Sequence, residues 1–404
     1  MLEPGEMQTM LSFTFLPWSV KIIYGLISDN FPLFGSRRKS YILIMALLQF
    51  LSMIVLGFTN AEDLPVSAAT WMLFISNLGI AFSDVIVDSL MVIQSRRFPD
   101  DGCEDLTAFS WTCSAIGGLS GSIASAFVME YYEPRYSFMF ESVMGFIIAI
   151  VALRMNVSLE TDGQTKVDGS KQGSFWSDLK RNCSEIKEAF KVKAYYRTIL
   201  YLVFTGLLVP GFGSFDYYFM IDVVGISDST LALLGVLGYA CSLLGTQLFN
   251  SYFKDWEYQS LIKLDAVIGL TLAPLSMLFV LRLNEGLGIP NMALIIFTSQ
   301  VSSILGECLV FLPMSVIMGK ICPQHIEATS FALLAGISNM RAEISSFTGT
   351  WINERFIGCT KSDLRNYWKL ATIEIVCSWL PLFFIWLIPT RKSIEDLQSN
   401  EKDR

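Results

Sequence analysis

The sequence predicts an all-α polytopic membrane protein with about eleven transmembrane helices. Three observations carry this expectation: composition, the length of the apolar stretches, and the sidedness of positive charge. Of 404 residues, 52% are hydrophobic and 16% are charged, and the mean hydropathy is +0.49. A soluble chain carries about 25% charged residues. No water-facing surface absorbs so many apolar side chains, so the surrounding solvent is lipid. The 30 Phe, 9 Trp and 28 Gly fit the same environment, where Trp settles at interfaces and Gly lets helices approach closely.

A hydrocarbon layer of roughly 30 Å needs about 20 residues of helix. Eleven stretches reach that length: 8–28, 41–60, 69–93, 107–129, 136–153, 195–221, 229–252, 261–281, 291–319, 326–353 and 368–389. One long polar segment, 154–194, divides them into an N-terminal bundle of five spans (1–153) and a C-terminal bundle of six (195–389), with a tail at 390–404. The second half of that segment, Phe175 to Tyr195, has the pattern of a short surface helix. Within 195–221, Pro210-Gly-Phe-Gly213 predicts a break at mid-depth. Such breaks expose backbone groups that only protein or a wet cavity satisfies.

Positive charge alternates between the loops. Arg37, Arg38 and Lys39, then Arg96 and Arg97, the 154–194 linker, Lys254 and Lys263, Lys320, and Arg391 with Lys392 fall on one side. The loops 61–68 and 222–228 carry no Lys or Arg, and 354–367 is mixed. Linker and tail are therefore expected in the cytoplasm, with the N-terminus outside.

Several functions are excluded. There is no basic stripe for nucleic acid. His325 is the sole histidine, and the eight Cys form no C-x-x-C pair, so the cysteines read as apolar filler and no metal or cofactor is expected. The chain has no His-Glu-x-x-His, no nucleophile with a base and no phosphate-binding Gly-x-x-x-x-Gly-Lys-Ser/Thr loop. An enzyme and an ATP-driven pump both fall away.

Charges inside the spans demand partners or purposes. Lys21 and Asp84 lie at similar depth, each slightly cytoplasmic of its span centre, so that a pair between them makes both affordable; Lys21 reads equally as that structural partner or as an anion ligand. Asp88 follows Asp84 by one turn on the same face. Two carboxylates so placed in low dielectric resist ionising together, so one of them can hold a proton. Asp88 reads first as a gate residue bridging Arg37, Arg38 or Arg96, and second as a proton carrier; Asp84 reads as a proton or substrate contact. Arg341 falls near the centre of 326–353, where it grips a carboxylate of a solute or bridges Glu307 or the Asp84 region. A bridge to Glu343 is disfavoured, because i, i+2 residues point apart. Gln300 and Glu307 stand out of a polar stripe as cavity candidates, and Asp216 as an outer-gate candidate. Gly117, Gly118, Gly121, Gly235 and Gly238 read as close packing.

Local motifs add a resemblance. Gly25-Leu-Ile-Ser-Asp29 followed by Gly35-Ser-Arg37-Arg38-Lys39 resembles the loop signature between the second and third helices of the major facilitator superfamily. Pro17-Trp18-Ser-Val-Lys21-Ile-Ile-Tyr24-Gly25-Leu-Ile-Ser28-Asp29 resembles the Pro-Trp-x-x-Lys-Pro-x-Tyr-Gly-x-x-Ser-Asp pattern of the folate–biopterin transporter family. Cys322-Pro323-Gln-His-Ile326-Glu327-Ala328-Thr329, with Asn339 beyond it, and Ser83-Asp84-Val-Ile-Val-Asp88 are similar to further segments of that family. Ile22, His325 and Arg341 depart from its pattern. The resemblance implies two helical bundles of the major facilitator type, with the first of the usual twelve helices absent from this chain. It also implies a proton-coupled symporter that carries folate, biopterin or another pteridine by alternating access. Lys21, Asp84, Gln300, Glu307, Asn339 and Arg341 are then the expected substrate contacts, and Asp29, Arg37, Arg38, Asp88 and Asp216 the expected coupling or gate residues. The expected partners are the solute, protons and the lipid of a plasma membrane or organelle envelope. A shortened non-transporting relative with a binding or regulatory role, and a carrier of another small organic anion, are the competing readings.

Overall fold

A computed structural model describes residues 2–60, 62–95, 102–156, 190–321 and 327–402, with isolated positions between 180 and 188. Its elements are helices: α1 (Pro4–Ser19), α2 (Lys21–Asn30), α3 (Lys39–Phe58), α4 (Val66–Ser95), α5 (Gly102–Tyr131), α6 (Arg135–Arg154) and α7 (Lys193–Leu208). Then come α8 (Gly213–Tyr218, wound on to Val224 as a π-turn), α9 (Asp228–Leu248) and α10 (Tyr258–Val280). The span Asn291–Met318, α11, alternates α-helical and π-helical turns. It is followed by α12 (Glu327–Ile352), α13 (Tyr367–Cys377) with a 3-10 stretch at Leu380–Leu387, and α14 (Arg391–Lys402). The linker helix expected at 175–195, Arg96 and Arg97, and the segment Cys322 to Ile326 fall largely or wholly outside the described residues.

Among the described residues, nine helices are long and apolar enough to cross a membrane, or ten if the bent pair Lys193–Leu208 and Gly213–Val224 is one span. That revises the expectation of about eleven. The stretch 326–353 does form a helix, α12, but its polar residues, Arg341 and Glu343 among them, keep it below the apolarity of its neighbours. It is packed against α1, α2 and α7 instead. The break at Pro210 occurs as expected, with a bend of 42°. A second break was not expected. The span 8–28 is interrupted at Val20, because Pro17 has no N–H to donate and its ring crowds the preceding turn. The tail, expected as a plain segment, carries amphipathic α14, which buries Ile394 against Tyr195, Tyr258 and Ile388.

Within the first half, α3 packs on α4 and α6, and α1 packs on α4. Tyr24, Phe82 and Tyr41 stack in series, with ring centroids 4.8 Å and 5.2 Å apart. In the second half, one core gathers Tyr195, Tyr201, Tyr258, Ile317 and Leu334, and another gathers Phe212, Phe215, Phe219, Tyr367 and Leu370. Most residues of each span are not buried in protein, and the side chains left outside, such as Phe146, Val151, Leu244 and Val267, are apolar. Lipid is the solvent for that surface.

The halves meet along α1–α12 and α5–α9. Small residues set the spacing. A Cβ on Gly336 would lie 2.7 Å from the Ser19 carbonyl oxygen, and one on Gly118 would lie 2.5 Å from the Tyr239 ring. At Gly235 and Gly238 a Cβ would meet Ser122 Oγ at 3.6 Å and Gln300 Oε1 at 3.7 Å, ordinary contact, and Gly117 and Gly121 have nothing within 4 Å. Close packing therefore accounts for Gly118 but not for Gly117, Gly121, Gly235 or Gly238. At the end of α12, Gly358 adopts φ 72° and returns its N–H to the Asn353 carbonyl at 2.7 Å. In the turn that follows, the Arg365 guanidinium donates to both oxygens of Asp363 and draws that carboxyl down to about 2.

Gly336→Leu is expected to force α12 away from α1 and destabilise the protein by about 1–3 kcal/mol, as overpacking of a tight contact does. Gly117→Ala, in open space, is expected to stay within about 0.5 kcal/mol of the parent. Thermal unfolding in detergent distinguishes the two.

Candidate functional site

The break at Val20 shapes the site. Pro17 and the end of α1 leave carbonyl groups without their helical partners, and side chains take over. The Tyr24 hydroxyl donates to the Pro17 carbonyl at 2.9 Å, and the Asn339 amide, from α12, donates to the Trp18 carbonyl at 3.0 Å. The Trp18 indole N–H donates to Asn77 at 3.0 Å, and the Asn77 amide in turn donates to the Leu73 carbonyl. The indole is thereby fixed between α1 and α4.

Lys21 opens α2. A cation at a helix N-terminus opposes the helix dipole, so it needs compensation from elsewhere. It receives two forms. Asp84 on α4 accepts from its Nζ at 2.6 Å, and the ammonium lies 4.7 Å from the Trp18 ring centroid. The Lys21 side chain is 12% exposed and that of Asp84 is 39% exposed. The pair is therefore formed, with the carboxylate the more accessible partner. Asp88 is exposed one turn along α4, within electrostatic reach of both, and makes no ion pair with a described residue.

Arg341 is exposed on a helix enclosed by α1, α2 and α7. Its backbone packs on Gly206, whose absent Cβ would meet the Arg341 carbonyl oxygen at 2.8 Å. It lies within electrostatic range of the buried Tyr201. Among the described residues no carboxylate pairs with it, so neither Glu343, Glu307 nor Asp84 is its partner. Glu343 is engaged elsewhere, accepting from Ser12 on α1.

The remaining expected residues are dispersed. Gln300, 7% exposed at the end of a π-turn in α11, has an Oε1 with no hydrogen-bond partner and faces Gly238. Glu307 is half-buried at the start of the next π-turn, against Gly245. Asp216, just past the Pro210 break, accepts from the Tyr367 hydroxyl at 3.0 Å, with Glu374 of α13 within electrostatic range. Arg38 is buried and donates from Nη1 to Ser28 at 2.9 Å, tying the loop back to α2. Arg37 is exposed beside it, and the side chain of Asp29 lies outside what the structure describes.

Some polar groups escaped sequence reasoning. Glu141 accepts from Gln49 and Ser76, Asp265 lies within electrostatic range of Tyr201, and Glu374 adjoins Asp216. The criterion that singled out Asp84, an ionisable group within a span, finds all three. Gln8 is 3% exposed and bonded across the halves. Its only signal was a neutral amide in an apolar stretch.

The family model described as the BT1 family matches residues 1–404. The chain belongs to the BT1 family. This BT1 chain is 25% identical to the probable folate-biopterin transporter 4 of Arabidopsis thaliana over 96% of its own length and 89% of the relative's. It is 24% identical to a folate-biopterin transporter of a Synechocystis strain, over 96% and 75%. It is 23% identical to folate transporter 2 of Plasmodium falciparum, over 100% and 84%. Among solved structures it resembles a D-xylose-proton symporter, with TM-score 0.65 at 14% identity over 96% of this chain and 89% of that one. It also resembles the nucleoside transporter NupG, with TM-score 0.64 at 11% identity over 96% and 90%. The fold is that of the major facilitator superfamily. The BT1 chain is a multi-pass integral membrane protein of a transporter family rather than an enzyme.

Removing one partner of the Lys21–Asp84 pair strands the other. Asp84→Leu or Lys21→Met alone is expected to destabilise by about 1.5–3 kcal/mol, the worth of a hydrogen bond to a charged group. The double variant is expected to recover most of that loss, since apolar replacement of both partners is near neutral. A double-mutant cycle on thermal unfolding reads the coupling.

Proposed function

We propose that this BT1 chain is a secondary carrier of folate, biopterin or a related pteridine, coupled to protons and working by alternating access between two bundles joined through the 154–194 segment. In this reading α12 crosses the membrane as an eleventh span, and its polarity reflects a face turned to solute rather than to lipid. The observation that carries the proposal is Arg341: an exposed guanidinium on a helix enclosed by α1, α2 and α7, with no carboxylate partner among the described residues. Such a group is retained in a membrane protein for an anion that arrives from outside it.

The ligand chemistry fits. The glutamyl end of a folate carries two carboxylates, and Lys21 and Arg341 are cations on the helices where α1 and α2 meet α12. The pterin ring presents amino and ring N–H groups, for which Asp84, Glu307, Gln300 and Asn339 are acceptors, and a flat face for Trp18.

The Lys21–Asp84 pair supplies a coupling step. While Asp84 is ionised it occupies the Lys21 ammonium at 2.6 Å. A proton placed on Asp84 cancels that attraction and leaves the ammonium free for a solute carboxylate. Asp88, exposed one turn away, relays the proton, and Arg37, Arg38 and Asp29 hold the cytoplasmic end of the pathway, as Asp216 does the outer end. Solute anion and proton then enter together, and neither charge crosses the low dielectric alone.

Uptake of labelled folate and labelled biopterin into a transporter-deficient host tests this. Arg341→Gln is expected to reduce folate uptake by roughly 30- to 150-fold, the equivalent of about 2–3 kcal/mol of charge-assisted hydrogen bonding. Biopterin, which has no carboxylate, is expected to be affected far less. Asp84→Asn is expected to abolish the stimulation of uptake by an imposed pH gradient. Equal loss of both solutes in Arg341→Gln, or pH-stimulated uptake surviving Asp84→Asn, removes these roles. Uptake of other organic anions but of no pteridine moves the assignment to that class.

A further inference from the structure

One buried side chain crosses the boundary between the halves with both its donors and its acceptor oxygen engaged. Gln8 on α1 donates from Nε2 to the Gly211 carbonyl at 2.8 Å and to the Ser346 carbonyl at 2.7 Å, with the Thr350 hydroxyl at 3.2 Å. Its Oε1 accepts from the Ser214 N–H at 3.2 Å. A primary amide has two N–H donors and an oxygen with two lone pairs; both donors and one lone pair are engaged here. The receiving groups belong to the second half: Gly211 and Ser214 flank the start of α8, where the Pro210 break frees backbone groups, and Ser346 lies on α12.

That receiving surface is organised without Gln8. The Ser345 hydroxyl donates to the Val209 carbonyl at 2.6 Å, and the Gly211 N–H donates to the Ser345 carbonyl at 2.9 Å, clasping the break to α12 within the second half. Gln8 therefore docks onto a preformed cradle. The same end of α1 makes three lesser contacts. Ser12 donates to Glu343, the Lys361 N–H donates to Glu3 at 2.7 Å, and the Tyr218 hydroxyl donates to the Leu2 carbonyl at 2.8 Å.

We propose that Gln8 is the latch that closes the two halves at this end of the bundle, and that each transport cycle breaks and remakes its bonds. The proposal rests on the carrier reading above, and on the charge asymmetry that makes this end extracellular. Its physical basis is balance. In hydrocarbon-like surroundings the amide and its four partners must bond to each other, yet once the halves part, water satisfies all of them. A polar latch therefore opens reversibly, where an apolar seam of the same area resists water. Gln8 is a positioning residue in this scheme; it touches no solute.

The test is a cysteine pair at Gly5→Cys and Thr350→Cys, where a Cβ at residue 5 would lie 3.4 Å from Thr350 Cγ2. Thr350→Cys removes the 3.2 Å hydroxyl contact from the parent pair and its variants alike, so the comparison reads the Gly211, Ser346 and Ser214 contacts. Disulfide formation between them, identified by peptide mass spectrometry, reports closure and needs no solute. With Gln8→Leu the rate is expected to fall at least about tenfold, the factor expected when two net hydrogen bonds leave one of two states. Gln8→Glu gives a second, signed readout. An ionised carboxylate is repelled by the Gly211 and Ser346 carbonyls, whereas the protonated acid donates to one of them.

Crosslinking in Gln8→Glu, taken relative to the parent pair at each pH, is therefore expected to be low at pH 8 and to recover towards pH 5. The parent ratio absorbs the other titratable and charged groups on the elements packed here: Glu3 and Glu6 on α1, Asp216 and Tyr218 on α8, and Arg341, Glu343 and Glu354 on α12 and its continuation. Unchanged crosslinking in a folded Gln8→Leu, or no pH difference in Gln8→Glu, overturns the latch. If Gln8→Leu fails to fold, the comparison of the single Gln8→Glu protein at two pH values decides. Uptake is scored separately: crosslinking that responds as expected in a protein that moves no pteridine supports the latch and refutes the solute assignment, and the reverse pair of results refutes the latch alone.

Discussion

A backbone carbonyl released from its helix inside hydrocarbon has no water to turn to, and the rest of this structure is organised around that fact. The chain releases such carbonyls at two places, Val20 and the Pro210 turn, and in both an amide side chain from the opposite half takes the proton-donor role. Asn339 of α12 reaches the Trp18 carbonyl, and Gln8 of α1 reaches the Gly211 carbonyl. The breaks and the interface are thus one feature seen from two sides. Each half supplies an interrupted helix, and each completes the other's.

The same scarcity of partners governs the charges. Lys21 stands at a helix N-terminus, where the dipole works against it, and is held by Asp84 and by the face of Trp18. Trp18 is itself positioned by Asn77 and, through its carbonyl, by Asn339. A displacement of α12 relative to α1 therefore reaches Lys21 through two hydrogen bonds and a ring. This is a physical connection between the seam of the two halves and the ion pair inside the first of them. Arg341, on the same helix as Asn339 and two residues further on, moves with that seam.

Glycine makes such connections possible. Gly336 lies against the Ser19 carbonyl at a distance that leaves no room for a side chain, and the Tyr239 ring lies on Gly118. Where lipid replaces protein, the surface turns to Phe, Leu, Ile and Val. These rules of packing and satisfaction govern the seams between helices. They constrain residue size and polarity at each seam and leave the chemistry of the cavity free.

Hydrophobicity and charge are properties of the chain read locally, so the sequence alone determined the helical membrane class, the break at Pro210 and the resemblance carried by Pro17 to Asp29. The count of about eleven spans, by contrast, fell to nine or ten among the described residues. Equal depth in two spans made a Lys21–Asp84 pair one of two readings, and the structure forms it at 2.6 Å. Other features depend on which helix faces which. The break at Val20, the engagement of Glu343 by Ser12 rather than by Arg341, and the crossing of Gln8 onto the Pro210 turn each join residues far apart in the chain, through partners that no local pattern marks. The tertiary structure also decided the surroundings of two polar residues: half-buried Glu307 lies against Gly245, and the unpartnered Gln300 oxygen faces Gly238. In a bilayer a polar residue is conspicuous in sequence because it is costly, but whether it is satisfied depends on a neighbour that only the assembled bundle supplies.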